Sequence, residues 1–165
     1  MKKKIIIIGS ILIVIVFIVI LSIVLLNNKT EPPKENDEEN YRLAIMVGDS
    51  MSPTLKNKQR LKVYDVGKIK RGDIVLIKYG KEKLIKRVVG LPHETIVYKD
   101  NTLYINDEQI KEEYLDSNSI TYDFKETIDN CYYVLGDNRI NSLDSRSFGC
   151  VTRENIIGLI KTPNK

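Results

Sequence analysis

The stretch VGDSMSPTL, Val47 to Leu55, sets Ser50 in a turn among a glycine, an acid, a methionine and a proline. A serine so placed can act as a nucleophile, but only if a neighbouring group takes its proton. The chain holds one histidine, His93, in GLPHETI between a proline and an acid, where a turn is expected. A Ser-His-Asp arrangement would rest entirely on that residue, and a lone turn histidine is usually just solvated. A cysteine nucleophile would need the same histidine beside a thiol. The S-x-x-K spacing is absent, because Pro53 stands three residues after Ser50 and Leu55 three after Ser52. Lysine is what remains.

A lysine works as a general base only when neutral, so its pKa must fall from about 10.4 toward roughly 7 to 8. Burial does this by disfavouring the ammonium, and a full fall of that size corresponds to on the order of 4 kcal/mol. Most lysines here lie in polar runs such as LKNKQR and YGKEK and read as solvated charge. Lys86 differs, standing in Leu84, Ile85, Lys86, Arg87, Val88, Val89. On a strand it shares a face with Leu84 and Val88, while Arg87 goes with Ile85 and Val89. Taken alone, that strand leaves open a lysine that snorkels from a sheet edge.

The elements that must position these groups are short. YRLAIMV, RLKVYDV, DIVLIKY, KLIKRVVG, ETIVYKD, TLYIN and CYYVLGD are rich in Ile, Val, Leu and Tyr and are separated by Gly, Asn, Asp and Pro. Continuous apolar blocks such as IVLI imply strands covered on both faces. Helical turns are expected only at SPTLK and at TRENII, where Thr152 is placed to cap. The expected fold is a small, mostly antiparallel β domain over residues 41–165.

Before that domain, Ile5 to Leu26 is an uncharged run of 22 residues after MKKK, long enough to cross a bilayer as a helix. It lacks the short apolar region and small-x-small site of a cleaved signal peptide. Residues 1–4 are then expected in the cytoplasm, 5–26 in the bilayer as a single-pass anchor, and the domain outside the cell membrane. The polar, proline-containing residues 27–40 read as a tether. A net charge of +4, with lysines scattered among acids, gives no basic cluster for nucleic acid. Cys131 and Cys150, without histidine partners, make no metal site. They read as small buried residues beside strands, with a disulfide chemically permitted.

Four motifs, GDSMSPTL, RGDIVLIK, IKRVVGLP and GDNRINSLDSR, occur in that order. Together with the N-terminal run they make the chain resemble the bacterial type I signal peptidases of the S26 family, membrane-bound Ser-Lys endopeptidases, and most of all the Gram-positive branch. The resemblance implies Ser50 as nucleophile and Lys86 as general base. Ser142 matches the serine that hydrogen-bonds the lysine, Asp144 and Arg146 match an ion pair that braces the site, and Arg87 is a further supporting residue. A carboxylate beside Lys86 would raise its pKa, so Asp144 is expected to face Arg146.

The family cleaves signal peptides of exported preproteins after small residues at −1 and −3, bound in extended form as at a sheet edge. Here Ala44, Met46, Met51 and Leu55 on one side and Leu76, Leu84 and Ile85 on the other would form the walls. No metal or cofactor is implied. Gly48 stands where some relatives have a serine that donates to the oxyanion, which leaves the backbone N–H of Ser50 as the main donor. His93 stands where relatives usually have glycine, at a turn that calls for positive φ. Two other classes share parts of this pattern: self-cleaving repressors, which would need a DNA-binding segment that is absent here, and a catalytically idle homologue that binds preproteins at the membrane.

Overall fold

The computed structural model describes residues 18–22 and 40–162. Residues 18–22 are helical. The expected N-terminus 1–4, most of the anchor 5–26, and the tether 27–40 except its last residue lie outside the described residues. Among the described residues no helix is long and apolar enough to cross a membrane. The chain divides into two units, Met1–Glu38 and Glu39–Lys165, and the second holds all the strands that follow.

These strands are β1 (Tyr41–Ile45), β2 (Arg60–Tyr64), β3 (Ile74–Tyr79), β4 (Glu82–Gly90), β5 (Thr95–Lys99), β6 (Thr102–Ile105), β7 (Glu108–Ile110), β8 (Phe124–Thr127), β9 (Tyr133–Leu135) and β10 (Ile156–Ile160). A six-stranded sheet runs in the order β1-β2-β10-β3-β4-β9, and a four-stranded one in the order β7-β6-β5-β8. Every ladder is antiparallel. The mostly antiparallel β architecture expected from the sequence is therefore what the chain forms.

Local sequence accounts for much of it. In β2, RLKVY alternates, burying Leu61 and Val63 and exposing Arg60 and Lys62. In β3, IVLI is buried at four successive positions, as a strand covered on both faces should be. The β5–β6 and β6–β7 hairpins turn on Asp100–Asn101 and Asn106–Asp107, all at positive φ. Asn and Asp tolerate that region, and it matches the twist of two-residue hairpins.

Four features depart from the sequence reading, the first being a short helix, Ser145–Phe148, where no helical turn was expected. IIGLI was not foreseen as a strand, yet β10 lies between β2 and β3 in the middle of the larger sheet. The TRENII turn shrinks to a 3-10 turn, Arg153–Asn155, where Thr152 holds the cap position without a side-chain cap bond. Cys131 and Cys150 are joined in a disulfide and are not separate buried thiols. The bond lies beside the reciprocal backbone pair Tyr132–Val151, whose two hydrogen bonds are each 2.8 Å, so the segments are already in register there. The turn at His93 does adopt positive φ, 67°.

The core has three apolar groups. One joins Met46, Met51, Leu55, Leu61, Val63, Ile74, Leu76, Ile85 and Ile160. A second packs Val75, Ile77, Val88, Val134, Val151 and Ile156, and a third lies against the smaller sheet around Ile96, Tyr98, Leu103 and Tyr133. Gly158 in β10 has no room for a side chain, because a Cβ there would run into Val63 Cγ1, a branched group on the neighbouring strand. Gly158→Ala should therefore destabilise the domain by about 1–3 kcal/mol. This would be read as a lower denaturation midpoint than the parent's, and an unchanged midpoint would contradict the packing.

Candidate active site

Ser50 sits at the start of a tight turn. The Ser52 N–H donates to the Asp49 carbonyl at 3.0 Å and the Leu55 N–H to the Met51 carbonyl at 2.8 Å. Met51 and Leu55 are fully buried and pin this turn to the core. The Ser50 carbonyl accepts the Asn138 N–H at 3.0 Å, which ties the turn to the loop after β9. Just before it, Gly48 adopts φ +81°, a region an L side chain rarely takes, and its N–H donates to Asn57 Oδ1 at 3.2 Å.

Lys86 reaches the same point from β4, where it pairs with Val75. It is 3% exposed, and its Nζ lies 2.8 Å from Ser50 Oγ and 2.9 Å from the Ile85 carbonyl oxygen. Burial lowers its pKa from 10.5 to about 8, against the opposing pull of Asp144 and Asp137. A change of that size corresponds to on the order of 3 kcal/mol against the ammonium.

Both acids are held by arginines. Arg146 donates to Asp144 through Nε at 2.8 Å and Nη2 at 2.7 Å. Asp144 is fully buried, accepts the Gly136 N–H at 3.0 Å, and caps the short helix Ser145–Phe148 by accepting from the Arg146 N–H. Arg87, next to the lysine, donates to Asp137 through Nε at 2.8 Å and Nη2 at 2.6 Å. Asp137 also accepts from the Thr54 hydroxyl, four residues after Ser50. Two-point arginine–carboxylate pairs of this kind fix orientation as well as charge.

Ser142 lies beside Gly136 near the Ser50 carbonyl, but the hydrogen bond expected from it to Lys86 is not formed. Its buried Oγ has no hydrogen-bond partner, and Lys86 turns to Ser50 and the Ile85 carbonyl instead. Gly136 explains the crowding: a Cβ there would lie 2.5 Å from the Ser50 carbonyl oxygen and 2.6 Å from Ser142 Cβ.

A cavity of about 380 Å³ opens at the pair, lined by Arg42, Leu43, Ala44, Ile45, Met46, Val47, Ser50, Val63, Leu76, Lys83, Leu84, Ile85 and Lys86. Five of the residues expected as walls are among these: Ala44, Met46, Leu76, Leu84 and Ile85. Met51 and Leu55 are not, since both are buried behind the turn, and Leu43, Ile45 and Val47 take the exposed positions instead. The roles of Asp137, Thr54 and Asn138 were missed in the sequence. Asp137 and Asn138 stand in a stretch rich in turn formers, and only their contacts with Arg87 and Ser50 distinguish them.

Comparison with known proteins places this geometry. Residues 3–164 match the family described as signal peptidase, peptidase S26. Signal peptidase I T of Bacillus subtilis (strain 168) is 40% identical over 135 residues, covering 71% of this chain and 70% of that protein. Signal peptidase I of Bacillus licheniformis is 41% identical over 133 residues, covering 69% and 71%. The crystal structure of a signal peptidase I from Enterococcus faecalis V583 superposes with a TM-score of 0.53 at 35% identity, covering 59% of this chain and all of that one. The chain therefore belongs to the signal peptidase, peptidase S26, family and is a serine endopeptidase of the signal peptidase I type.

Two outcomes follow from the geometry. If the neutral lysine is the active form, turnover should rise with pH through an apparent pKa of about 8 and level off above it. A rate profile that is flat from pH 6, where about one lysine in a hundred would be neutral, to pH 9, where about nine in ten would be, would rule this out. Gly136→Ala should lower turnover by about a hundredfold by displacing the Ser50 backbone, measurable against a synthetic preprotein.

Proposed function

We propose that this chain is a membrane-anchored endopeptidase that removes N-terminal signal peptides from exported preproteins, with Ser50 as nucleophile and Lys86 as general base. The observation that carries this reading is the 2.8 Å approach of Lys86 Nζ to Ser50 Oγ, out of water and at the end of an open cleft. When neutral, Nζ accepts the Ser50 proton as Oγ attacks the scissile carbonyl. The tetrahedral oxyanion is met by the backbone N–H of Ser50. Lys86 then gives the proton to the leaving amine, which becomes the N-terminus of the mature protein. Water attacks the resulting ester, its proton passing to Lys86, and Ser50 Oγ is restored with release of the signal peptide carboxylate.

The cleft suits an extended apolar peptide. Strand β1 pairs only with β2, and β4 pairs with β9 only from Arg87 onward, so Tyr41–Ile45 and Glu82–Lys86 each present an edge without a strand partner among the described residues. Both edges line the same cavity. A strand laid between them gains main-chain hydrogen bonds, while Ala44, Met46, Leu76, Leu84 and Ile85 leave space for small side chains at −1 and −3. Residues 5–26 anchor the enzyme, with residues 1–4 in the cytoplasm and the catalytic domain facing outward, where exported substrates emerge. Asp144 and Arg146 brace the loop that carries Ser142, and Arg87 braces the Ser50 turn through Asp137.

Ser50→Ala and Lys86→Ala should each reduce cleavage of a preprotein in detergent by at least about a thousandfold. Lys86→His should not restore it, because the imidazole cannot reach the position of Nζ. Either alanine variant cleaving at the parent's rate would sink the assignment, and recovery in Lys86→His would sink its geometric part.

A further inference from the structure

Glu112 lies outside all four motifs, in the connection between β7 and β8, yet its carboxylate accepts four hydrogen bonds, as many as Asp144. It accepts from Arg139 Nη2 and Nη1, from Tyr98 Oη at 2.6 Å, and from Tyr114 Oη. The Arg139 side chain is completely buried and that of Glu112 is 6% exposed. The contacts with Arg139 and Tyr114 lead toward Ser50. Arg139 Nε donates to the Gly136 carbonyl at 3.1 Å, and two residues along that loop the Asn138 N–H holds the Ser50 carbonyl. The Tyr114 ring lies 4.0 Å beneath the Arg87 guanidinium, which holds Asp137 and through it Thr54 of the Ser50 turn.

We propose that Glu112 is a positioning residue for the nucleophile: one carboxylate, supplied by the connection beside the smaller sheet, holds Arg139 directly and Arg87 through the Tyr114 ring, and so sets the loop that binds the backbone of Ser50. The inference rests on the assignment of Ser50 as nucleophile. Its physical basis is that a buried guanidinium has no alternative partner in water and stays where its carboxylate holds it. None of the side chains bonded to Glu112, Tyr98, Tyr114 and Arg139, lines the cleft. Loss of Glu112 therefore disturbs the chemical step and leaves peptide binding alone.

The test uses the full chain in detergent, with preprotein cleavage and acylation of Ser50 by a small serine-reactive phosphonate measured per folded molecule. Glu112→Gln keeps the shape and loses the charge. It should lower kcat and the phosphonate rate together by about tenfold to a hundredfold, with KM within about twofold of the parent. A second variant, Glu112→Met with Arg139→Met, removes the buried pair as a unit. Such exchanges often preserve stability, so it should fold like the parent while its kcat stays low, because the Gly136 carbonyl has lost its donor. Parent-like kcat per folded molecule in either variant overturns the inference, as does a loss confined to KM. Ser50→Ala is run alongside: parent turnover that survives this change would overturn the underlying assignment of the nucleophile.

Discussion

An amine can hold its place beside a serine without a proton only where water is kept away from it, and the active-site side of this domain is organised around that condition for Lys86. The desolvation that lowers its pKa is opposed by two carboxylates, Asp137 and Asp144. Neither can be dispensed with, because one secures the Ser50 turn through Thr54 and the other caps the helix that follows Ser142. The domain meets this conflict by giving each acid its own arginine in two-point contact. The negative charge is thereby spent locally, and the lysine meets chiefly the cost of burial.

The same requirement shapes the sheet. A lysine in the middle of a strand stays dry only if the strand is covered on both faces, which is why β3 and β4 carry long buried runs while β2, β5 and β6 alternate. At its first half β4 gives up its outer partner, which opens the cleft, and at its second half it regains one in β9, which closes the wall behind Lys86. One strand thus serves as an open cleft edge and as sealed interior, and the change from one to the other falls at the lysine.

What could be read in advance follows from how local each signal is. Lys86 was recognisable because its neighbours in sequence are also its neighbours in the core. The hairpins at Asp100–Asn101 and Asn106–Asp107 follow from residue types that accept positive φ. IIGLI was hidden because a capping threonine and an acid precede it, a local pattern for a helix start that was overridden by pairing with β2 and β3. The motif match implied a bond from Ser142 to the lysine but could not give the direction of its hydroxyl, which has no hydrogen-bond partner among the described residues. Met51 and Leu55 flank Ser50 in sequence, as cleft walls would, yet a tight turn sends its apolar residues inward. Glu112 carried no signal, since its partners Tyr98 and Arg139 are 14 and 27 residues away.

The bond between Cys131 and Cys150 makes a ring of the chain between them, and every residue from Gly136 to Arg146 lies within it. A ring of this size removes conformations from the unfolded chain worth about 3 kcal/mol. The two backbone hydrogen bonds of Tyr132 and Val151 lie at the same neck, so the ring has a covalent clasp and a hydrogen-bonded one side by side. In a reducing compartment only the second is closed, and the loop that holds the Ser50 carbonyl keeps its shape with less help. The covalent clasp thus reinforces a neck that the backbone pair already closes.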